Sequence, residues 1–186
     1  IRKAVLGENH PDVAASLNNI GASYHSQGKY AEAQQHYELS LTIRKAMLGE
    51  NHSAVIESLA NIGNCHYSQG KYVEALKYYE QVLKIQKTTL EKNHLPMTET
   101  LRNLGNCYYS QGKYAEALQY HEQALTIRKA TLGENHPAVA ESLRSVAICY
   151  ENPKQNMASS SSSTSSSSSS SDGIKETGKD KGCIIV

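Results

Sequence analysis

Apolar residues recur along most of the chain at intervals of three and four residues, which is the period of one face of an α-helix. One such run is formed by Met97, Leu101, Leu104 and Tyr108, and the next by Tyr114, Ala117, Leu118, Ala124 and Leu125. Gly112 between them can take the positive φ that ends a helix, and Pro137 suits the first turn of the following one. The pattern predicts two helices joined by a tight turn, the second extending to Leu132.

The same pair of helices is predicted several times, because the pattern returns every 42 residues without slipping in register. The repeated positions include Ile1, Ile43, Ile85 and Ile127, and Leu17, Leu59, Leu101 and Leu143. About three full units and one further first helix fit between residues 1 and 152. Stacked helix pairs form an all-α solenoid rather than a globule. Since the chain opens inside a unit and without Met, we expect further sequence upstream of Ile1.

The composition agrees with a thin core repeated in each unit. The 186 residues include 12 Tyr but neither Phe nor Trp, which would be unusual for one compact core of this size. The 19 basic and 18 acidic residues leave a net charge of +1, too little to attract nucleic acid. No apolar run reaches the roughly 18 residues of a membrane span, and the N-terminus lacks a signal-peptide pattern. We therefore expect a cytoplasmic protein that does not bind nucleic acid.

The composition changes abruptly after the repeats. Pro153 cannot continue a helix, so residues 138–152 are predicted to close the array as a half unit. Residues 159–171 are all Ser except Thr164, which leaves no apolar surface to bury. The predicted organisation is a repeat domain at 1–152, a disordered Ser-rich linker at 153–182 and a separate motif at 183–186.

The last four residues, Cys-Ile-Ile-Val, resemble the C-terminal box in which prenyltransferases modify the cysteine. Lipidation of Cys183 would give a weak, reversible membrane tether, because a single lipid chain anchors only marginally. Val186 is not among the usual last residues, and the lysines before the box alternate with acidic residues. A hydrophobic C-terminal ligand for a PDZ-like groove and the absence of any role are the alternatives.

Histidine and cysteine recur with the repeats, at His10, His52, His94 and His136 and at Cys65, Cys107 and Cys149. A metal or catalytic centre needs side chains that converge, whereas residues one unit apart lie in successive layers. We assign the histidines to the inter-repeat loops and the cysteines to the core as free thiols. The sequence contains no phosphate-binding loop or hydrolase motif. We expect no catalytic activity, metal, cofactor or small-molecule substrate.

Residues 101–117 read Leu-Arg-Asn-Leu-Gly-Asn-Cys-Tyr-Tyr-Ser-Gln-Gly-Lys-Tyr-Ala-Glu-Ala and resemble the tetratricopeptide repeat almost position by position. The usual unit has about 34 residues. The longer form found here, with the junction Ile-Arg-Lys-Ala-x-Leu-Gly-Glu-Asn-His-Pro, resembles the repeats of kinesin light chains. The resemblance implies a right-handed superhelical solenoid of antiparallel helix pairs. It also implies that the small residues Gly105 and Ala117 let the two helices of a pair approach closely.

In this family the concave surface lined by the first helix of each pair binds extended peptides through Asn and basic side chains. The resemblance places this role on Asn61, Asn64, Tyr67, Arg102, Asn103, Asn106, Tyr109 and Arg144. Arg102 and Arg144 predict a preference for an acidic residue in the peptide, since arginine can bind a carboxylate in a bidentate manner. The alternative is a structural role, in which the asparagines secure the helix pair and the arginines are solvated.

Two functions remain open at the level of the sequence. The first is a protein interaction scaffold that binds peptide segments of partner proteins and resembles a kinesin light chain cargo adaptor. The second is a regulatory or membrane-targeting C-terminal region of a larger enzyme or signalling protein whose catalytic domain lies upstream. The Ser-rich segment and the Cys183 box are not features that the kinesin resemblance implies.

Overall fold

The chain folds into α-helices that follow the predicted pairing. A computed structural model describes residue 7, residues 10–89 and residues 94–151. These ranges contain no strand and the following helices: α1 (Pro11–Ser26), α2 (Tyr30–Leu48), α3 (Ser53–Ser68), α4 (Tyr72–Thr89), α5 (Met97–Ser110), α6 (Tyr114–Leu132) and α7 (Pro137–Glu151). The predicted Ser-rich linker at 153–182 and the Cys183 box lie outside the described residues.

The all-α solenoid of antiparallel helix pairs is confirmed. The first helices α1, α3 and α5 pack against their second helices α2, α4 and α6, and each second helix packs against the first helix of the next unit. Helix α7 is the further first helix and packs against α6. Within the described ranges, no helix combines the length and the apolar character needed to cross a bilayer.

The tight turn inside each pair uses a glycine in the left-handed region. Gly28, Gly70 and Gly112 have φ of 75°, 73° and 75°. In the third pair the N–H of Lys113 donates to the carbonyl of Tyr108 at 3.0 Å, which satisfies one of the last carbonyls of α5. The sequence prediction for Gly112 is therefore confirmed.

Histidine begins three of the four first helices. The Nδ1 atoms of His10, His52 and His136 each accept a hydrogen bond at 3.1 Å from the backbone N–H two residues ahead, on Asp12, Ala54 and Ala138. This contact satisfies one of the free N–H groups of the first helical turn. The recurrence of histidine in the inter-repeat loop thus has a physical cause, which is helix capping.

The third unit is the exception to this capping. The residue two positions after His94 is Pro96, which has no N–H to donate. Helix α5 therefore begins later in its unit than the other first helices, at Met97, after a turn in which the N–H of Met97 donates to the carbonyl of His94 at 3.0 Å.

The core is built in layers, in each of which a ring from the second helix lies against a glycine of the first. A Cβ added to Gly21 or Gly63 would lie 2.8 Å from Cε1 of Tyr37 or Tyr79. At Gly105 it would lie 2.6 Å from Cε1 of His121, which replaces tyrosine in the third pair. The close approach that the resemblance implies for Gly105 is therefore filled by an aromatic ring.

Three of the four cysteines of the chain also lie in the core, one in each of α3, α5 and α7. Cys65, Cys107 and Cys149 are buried and free. Burial raises the pKa of the Cys65 thiol to about 11, with a further contribution from Glu38, and raises that of Cys107 to about 12. A thiol with a raised pKa is a poor nucleophile, which agrees with the predicted structural role.

Candidate functional site

The eight predicted site residues lie on the first helices α3, α5 and α7, and the surface that the first helices present is called here the first-helix face. The hydroxyl of Tyr67 on α3 lies 3.3 Å from Oγ of Ser110 on α5. One unit earlier, Oγ of Ser68 on α3 lies 3.4 Å from Nε2 of His25 on α1. These two contacts join equivalent positions of consecutive units. The position of α3 relative to α1 is therefore the same as that of α5 relative to α3.

The asparagines of α3 are held by contacts to two different helices. Nδ2 of Asn61 donates to Oδ1 of Asn18 on α1 at 3.2 Å. Oδ1 of Asn64 accepts from the hydroxyl of Tyr79 on α4 at 2.6 Å. Each of these asparagines keeps part of its amide for another partner, since an Asn side chain carries two donor hydrogens and one acceptor oxygen. Both remain half-buried at the surface of the face.

The corresponding asparagines of α5 are Asn103 and Asn106. Both are half-buried, as are their equivalents in α3. His121, which occupies the place of Tyr79, lies against Gly105 and is 3% exposed. Burial, and then the charge of Arg102, lower the pKa of His121. The ring that packs against the glycine of the first helix is therefore an imidazole in this unit and a phenol in the preceding one.

The two tyrosines predicted for the site serve the tight turns as well. Tyr67 packs on Tyr72 with ring centroids 5.4 Å apart, and Tyr109 packs edge to face on Tyr114 at 5.1 Å. Both rings are half-buried, so each keeps part of its surface open to solvent. Such a ring can contribute flat contact area to a ligand while its position stays constrained.

Arg102 does not stand alone on the face. Its guanidinium donates to the carboxylate of Glu99, one helical turn earlier, with Nε 3.1 Å from Oε2 and a second contact from Nη2 to Oε1. The hydrogen bond to Glu99 is the main cause of a raised pKa of Arg102, and the charge of Glu141 on α7 adds to it. The carboxylate that an acidic ligand would supply is thus already present in the protein.

Arg144 is different from Arg102. It is exposed on α7, and within the described ranges no carboxylate lies at ion-pair distance from it. The two predicted arginines, on the first helices α5 and α7, are therefore in different electrostatic states.

Two buried arginines that the sequence reasoning did not single out join consecutive units. Nη1 of Arg44 on α2 donates to the carbonyl of Ala54, to Oε2 of Glu57 and to Oγ of Ser58, at 2.7, 3.2 and 2.8 Å. Arg128 on α6 repeats the arrangement in α7, at 2.9, 3.0 and 2.9 Å. We call this arrangement the arginine staple.

The staple reaches the first-helix face through its carboxylate. The other oxygen of Glu57, Oε1, accepts from Nδ2 of Asn18 at 2.9 Å, and Asn18 in turn accepts from Asn61. A hydrogen-bonded chain therefore leads from the buried guanidinium of Arg44 to a predicted site residue.

The repeat period contains a signal for these residues. Arg44 and Arg128 are 84 residues apart, twice the repeat, and Glu57, Glu99 and Glu141 recur at 42. Only the interruption of the arginine series by Gln86 hides the pattern. Gln86 donates to the carbonyl of Pro96 at 3.2 Å and accepts from the hydroxyl of Thr100 at 2.9 Å.

One cleft in the described part of the chain is lined by none of the predicted site residues. This cleft, of about 520 Å³, is lined by Met97, Leu101, Gln119, Glu122, Gln123, Thr126 and Ile127. Most of these residues belong to the second helix α6. In the described part of the chain, no three His, Cys, Asp or Glu side chains come together in a way that could hold a metal ion.

Comparison with known families agrees with this architecture. A family model of the tetratricopeptide repeat matches residues 1–46, 12–88 and 96–155. Since these ranges cover more than half of the chain, it belongs to the tetratricopeptide repeat family. Arrays of this family are typically protein-binding scaffolds rather than enzymes. No curated protein matches the chain.

Solved structures show the type of repeat. The chain is 26% identical to a candidate kinesin light chain of Podosopora anserina with nearly identical TPR-like repeats, with a TM-score of 0.71 over 86% of this chain and 76% of that one. BtubC (BKLC) from P. vanneervenii is 19% identical, with a TM-score of 0.70 over 91% of this chain and 73% of that one, which shows the fold alone. The chain is a tetratricopeptide repeat protein of the kinesin light chain type.

Proposed function

We propose that the first-helix face binds an extended peptide segment of a partner protein, so that the chain acts as an interaction scaffold without a catalytic role. The observation that carries the proposal is the alignment of α1 and α3, and of α3 and α5, by the contacts His25–Ser68 and Tyr67–Ser110. An extended ligand needs equivalent polar groups at a regular spacing, and this alignment provides them.

The chemistry of the face supports a peptide as the ligand. Half-buried asparagines on successive helices can both donate to and accept from a peptide backbone. The half-buried rings of Tyr67 and Tyr109 add apolar area beside them. The likeness to kinesin light chain repeats favours the same use of the face, and a cargo adaptor is the finer form of the proposal.

An acidic residue in the ligand is favoured by Arg144, whose charge is not neutralised by another side chain within the described ranges. A guanidinium at an exposed position can bind a carboxylate with two parallel hydrogen bonds. The ligand is therefore a peptide with at least one acidic residue, located where it crosses α7.

The test is a selection from a displayed library of random octapeptides on the immobilised full chain. We expect recovered peptides to contain an acidic residue, and the Arg144→Gln variant to bind the best of them about tenfold more weakly. Asn106→Ala is expected to weaken the same peptides whether or not they are acidic. Binding constants would be measured by fluorescence anisotropy at fixed ionic strength.

Lys77→Gln on the second helix α4 provides the matched control, since Lys77 is exposed and lies outside the face. It removes one positive charge, as Arg144→Gln does, and is expected to leave binding unchanged. Equal loss in the two variants would show a general charge effect and contradict the proposed site. Peptides that bind the parent chain and the Asn106→Ala, Arg144→Gln double variant equally well would exclude the first-helix face.

A further inference from the structure

The carboxylate at one repeated position of the first-helix face is neutralised in two different ways. Glu57 and Glu141 accept hydrogen bonds from buried arginines, Arg44 and Arg128, at 3.2 and 3.0 Å. Glu99 occupies the same position in the third unit, and its partner is Arg102 on its own helix. The difference therefore lies in which arginine the carboxylate engages.

The cause is a single substitution in the repeat series. Gln86 stands where Arg44 and Arg128 stand in the neighbouring units. It keeps two of the three staple contacts, to the carbonyl of Pro96 and to the hydroxyl of Thr100. Glutamine carries no positive charge, however, so it cannot neutralise Glu99. Glu99 pairs instead with the guanidinium of Arg102, which is one of the predicted site residues.

We propose that Gln86 is a specificity-determining residue of the first-helix face, which commits Arg102 to Glu99 and leaves Arg144 to bind the acidic group of a peptide. This inference rests on the proposed function, because it states which of the two arginines a ligand meets. Gln86 itself is buried. It acts through the pairing of Arg102 and is a positioning residue rather than a contact residue.

The charges around Arg102 support this assignment. The charge of Glu141, which is also paired with Arg128, acts on Arg102 as well. Arg102 and Arg128, with the carboxylates of Glu99 and Glu141, thus form a group of four side chains with no net charge. An arginine at position 86 would add one positive charge to this group, and the face of α5 would then attract an acidic ligand.

The test restores the staple with Gln86→Arg. Thr100 supplies a hydroxyl where Ser58 and Ser142 supply theirs, and the carbonyl of Pro96 and the carboxylate of Glu99 are the other two acceptors. Glu99→Gln is the companion variant, because it releases Arg102 without any change in the buried junction. Should Gln86→Arg fail to fold, Glu99→Gln alone reports whether a released Arg102 changes the ligand preference, and Gln86→Lys supplies the buried charge on a slimmer side chain.

The first readout is independent of any ligand. The Nε–H signal of Arg102 in a nitrogen–proton NMR spectrum is assigned from its loss in Arg102→Gln. In the parent chain this hydrogen donates to Glu99, and we expect slow exchange with water. In Gln86→Arg and in Glu99→Gln the exchange should rise about tenfold, toward that of the exposed Arg144. An unchanged signal in Gln86→Arg would overturn the proposal.

The second readout uses the random octapeptide library. The parent chain should recover peptides with one preferred acidic position, and Gln86→Arg should recover peptides with two. A peptide with both acidic positions should bind the variant about tenfold more tightly than the parent, and Arg102→Gln in the variant background should abolish this gain. Recovery of the same peptides by parent and variant would contradict the proposal.

The two readouts separate this inference from the proposed function. If no peptide is recovered by any variant but the Arg102 signal changes as expected, the pairing is correct and the peptide-binding function is wrong. If peptides bind in a way that depends on Arg144 but Gln86→Arg changes neither readout, the function stands and the role of Gln86 is wrong.

Discussion

A glycine faces an aromatic ring in each of the three helix pairs. Because glycine has no Cβ, the two helices can approach more closely than any other residue would allow. The ring of Tyr79 is held in place by the hydrogen bond from its hydroxyl to Asn64, the residue next to Gly63. It therefore cannot withdraw freely if the space is reduced. Ala147 occupies the equivalent position in α7, where it is exposed and no partner helix is present among the described residues.

We expect Gly63→Ala to destabilise the fold by up to about 2 kcal/mol, since an overpacked core costs about 1–3 kcal/mol and alanine returns about 1 kcal/mol of helix propensity. Urea unfolding followed by circular dichroism measures the change. Ala147→Gly is the matched control and should lose no more than about 1 kcal/mol, from helix propensity alone. A Gly63→Ala protein more stable than the parent would contradict the packing shown for Tyr79.

His121 makes the stability of the third pair depend on pH. Its pKa is lowered by burial and by Arg102, so the unfolded chain takes up a proton at a higher pH than the folded one does. Stability should therefore fall as the pH drops below the ordinary histidine pKa of about 6.5. Tyrosine occupies this position in the other two pairs and does not titrate in that range.

We expect His121→Tyr to reduce the loss of urea midpoint between about pH 7 and about pH 5.5. Part of the dependence should remain, because burial also lowers the pKa of His66, with Lys71 adding to the effect. The readout is the slope of stability against pH in the two proteins. Equal slopes would show that His121 does not titrate with folding.

At the scale of helices, the start of three of the four first helices described depends on an imidazole that accepts from a backbone N–H. We expect His52→Ala to cost about 1 kcal/mol, the usual value of an N-cap. His94→Ala is the matched control, because Pro96 has no N–H for that histidine to accept from. It should change stability by less than about 0.5 kcal/mol. Thermal unfolding of the two variants beside the parent measures both, and equal losses would argue against capping.

The helices and tight turns were predictable from the sequence because the residues that determine them are close together in the chain. The spacing of apolar residues, Gly112 in the turn and Pro137 at a helix start all act within a few positions of the chain. The later start of α5 was not predicted. It needs the observation that histidine accepts from the residue two positions ahead, and only then does Pro96 become informative.

The predicted site was accessible from the sequence only in part. The family pattern predicts that Arg102 and Arg144 share one surface, and the structure places them on the first helices α5 and α7. Their different pairing depends on Glu99 and on Gln86, which lies on another helix, and such contacts across units are not visible in a helical period. The hydrogen bond that Asn64 accepts from Tyr79, on the second helix of the same pair, is not visible in a helical period either.

At the scale of the whole array, the junction between α4 and α5 differs from the other two. It contains neither the arginine staple nor a histidine cap. Because stability in a solenoid is a sum of units and of the interfaces between neighbours, a weaker junction sets where the array opens. We therefore expect amide hydrogens at residues 97–101 to exchange about tenfold faster than those at the equivalent residues 55–59.

Hydrogen exchange measured by NMR or by mass spectrometry tests this expectation. Gln86→Arg should slow exchange at residues 97–101 and leave residues 55–59 unchanged. Part of the difference in exchange rate should remain, because α5 still lacks a histidine cap. Equal exchange rates at residues 55–59 and 97–101 of the parent chain would show that the array opens as one unit. The arginine staple would then have no effect on where it opens.

Each of the last three first helices carries one buried thiol, at Cys65, Cys107 and Cys149, whose rate of alkylation can be measured. A buried thiol reacts with an alkylating reagent only after its layer has opened, so the rate of labelling at each cysteine reports one layer. The repeat that places these residues at equal intervals thereby makes the opening of neighbouring layers comparable on the same scale, with no label added to the natural chain.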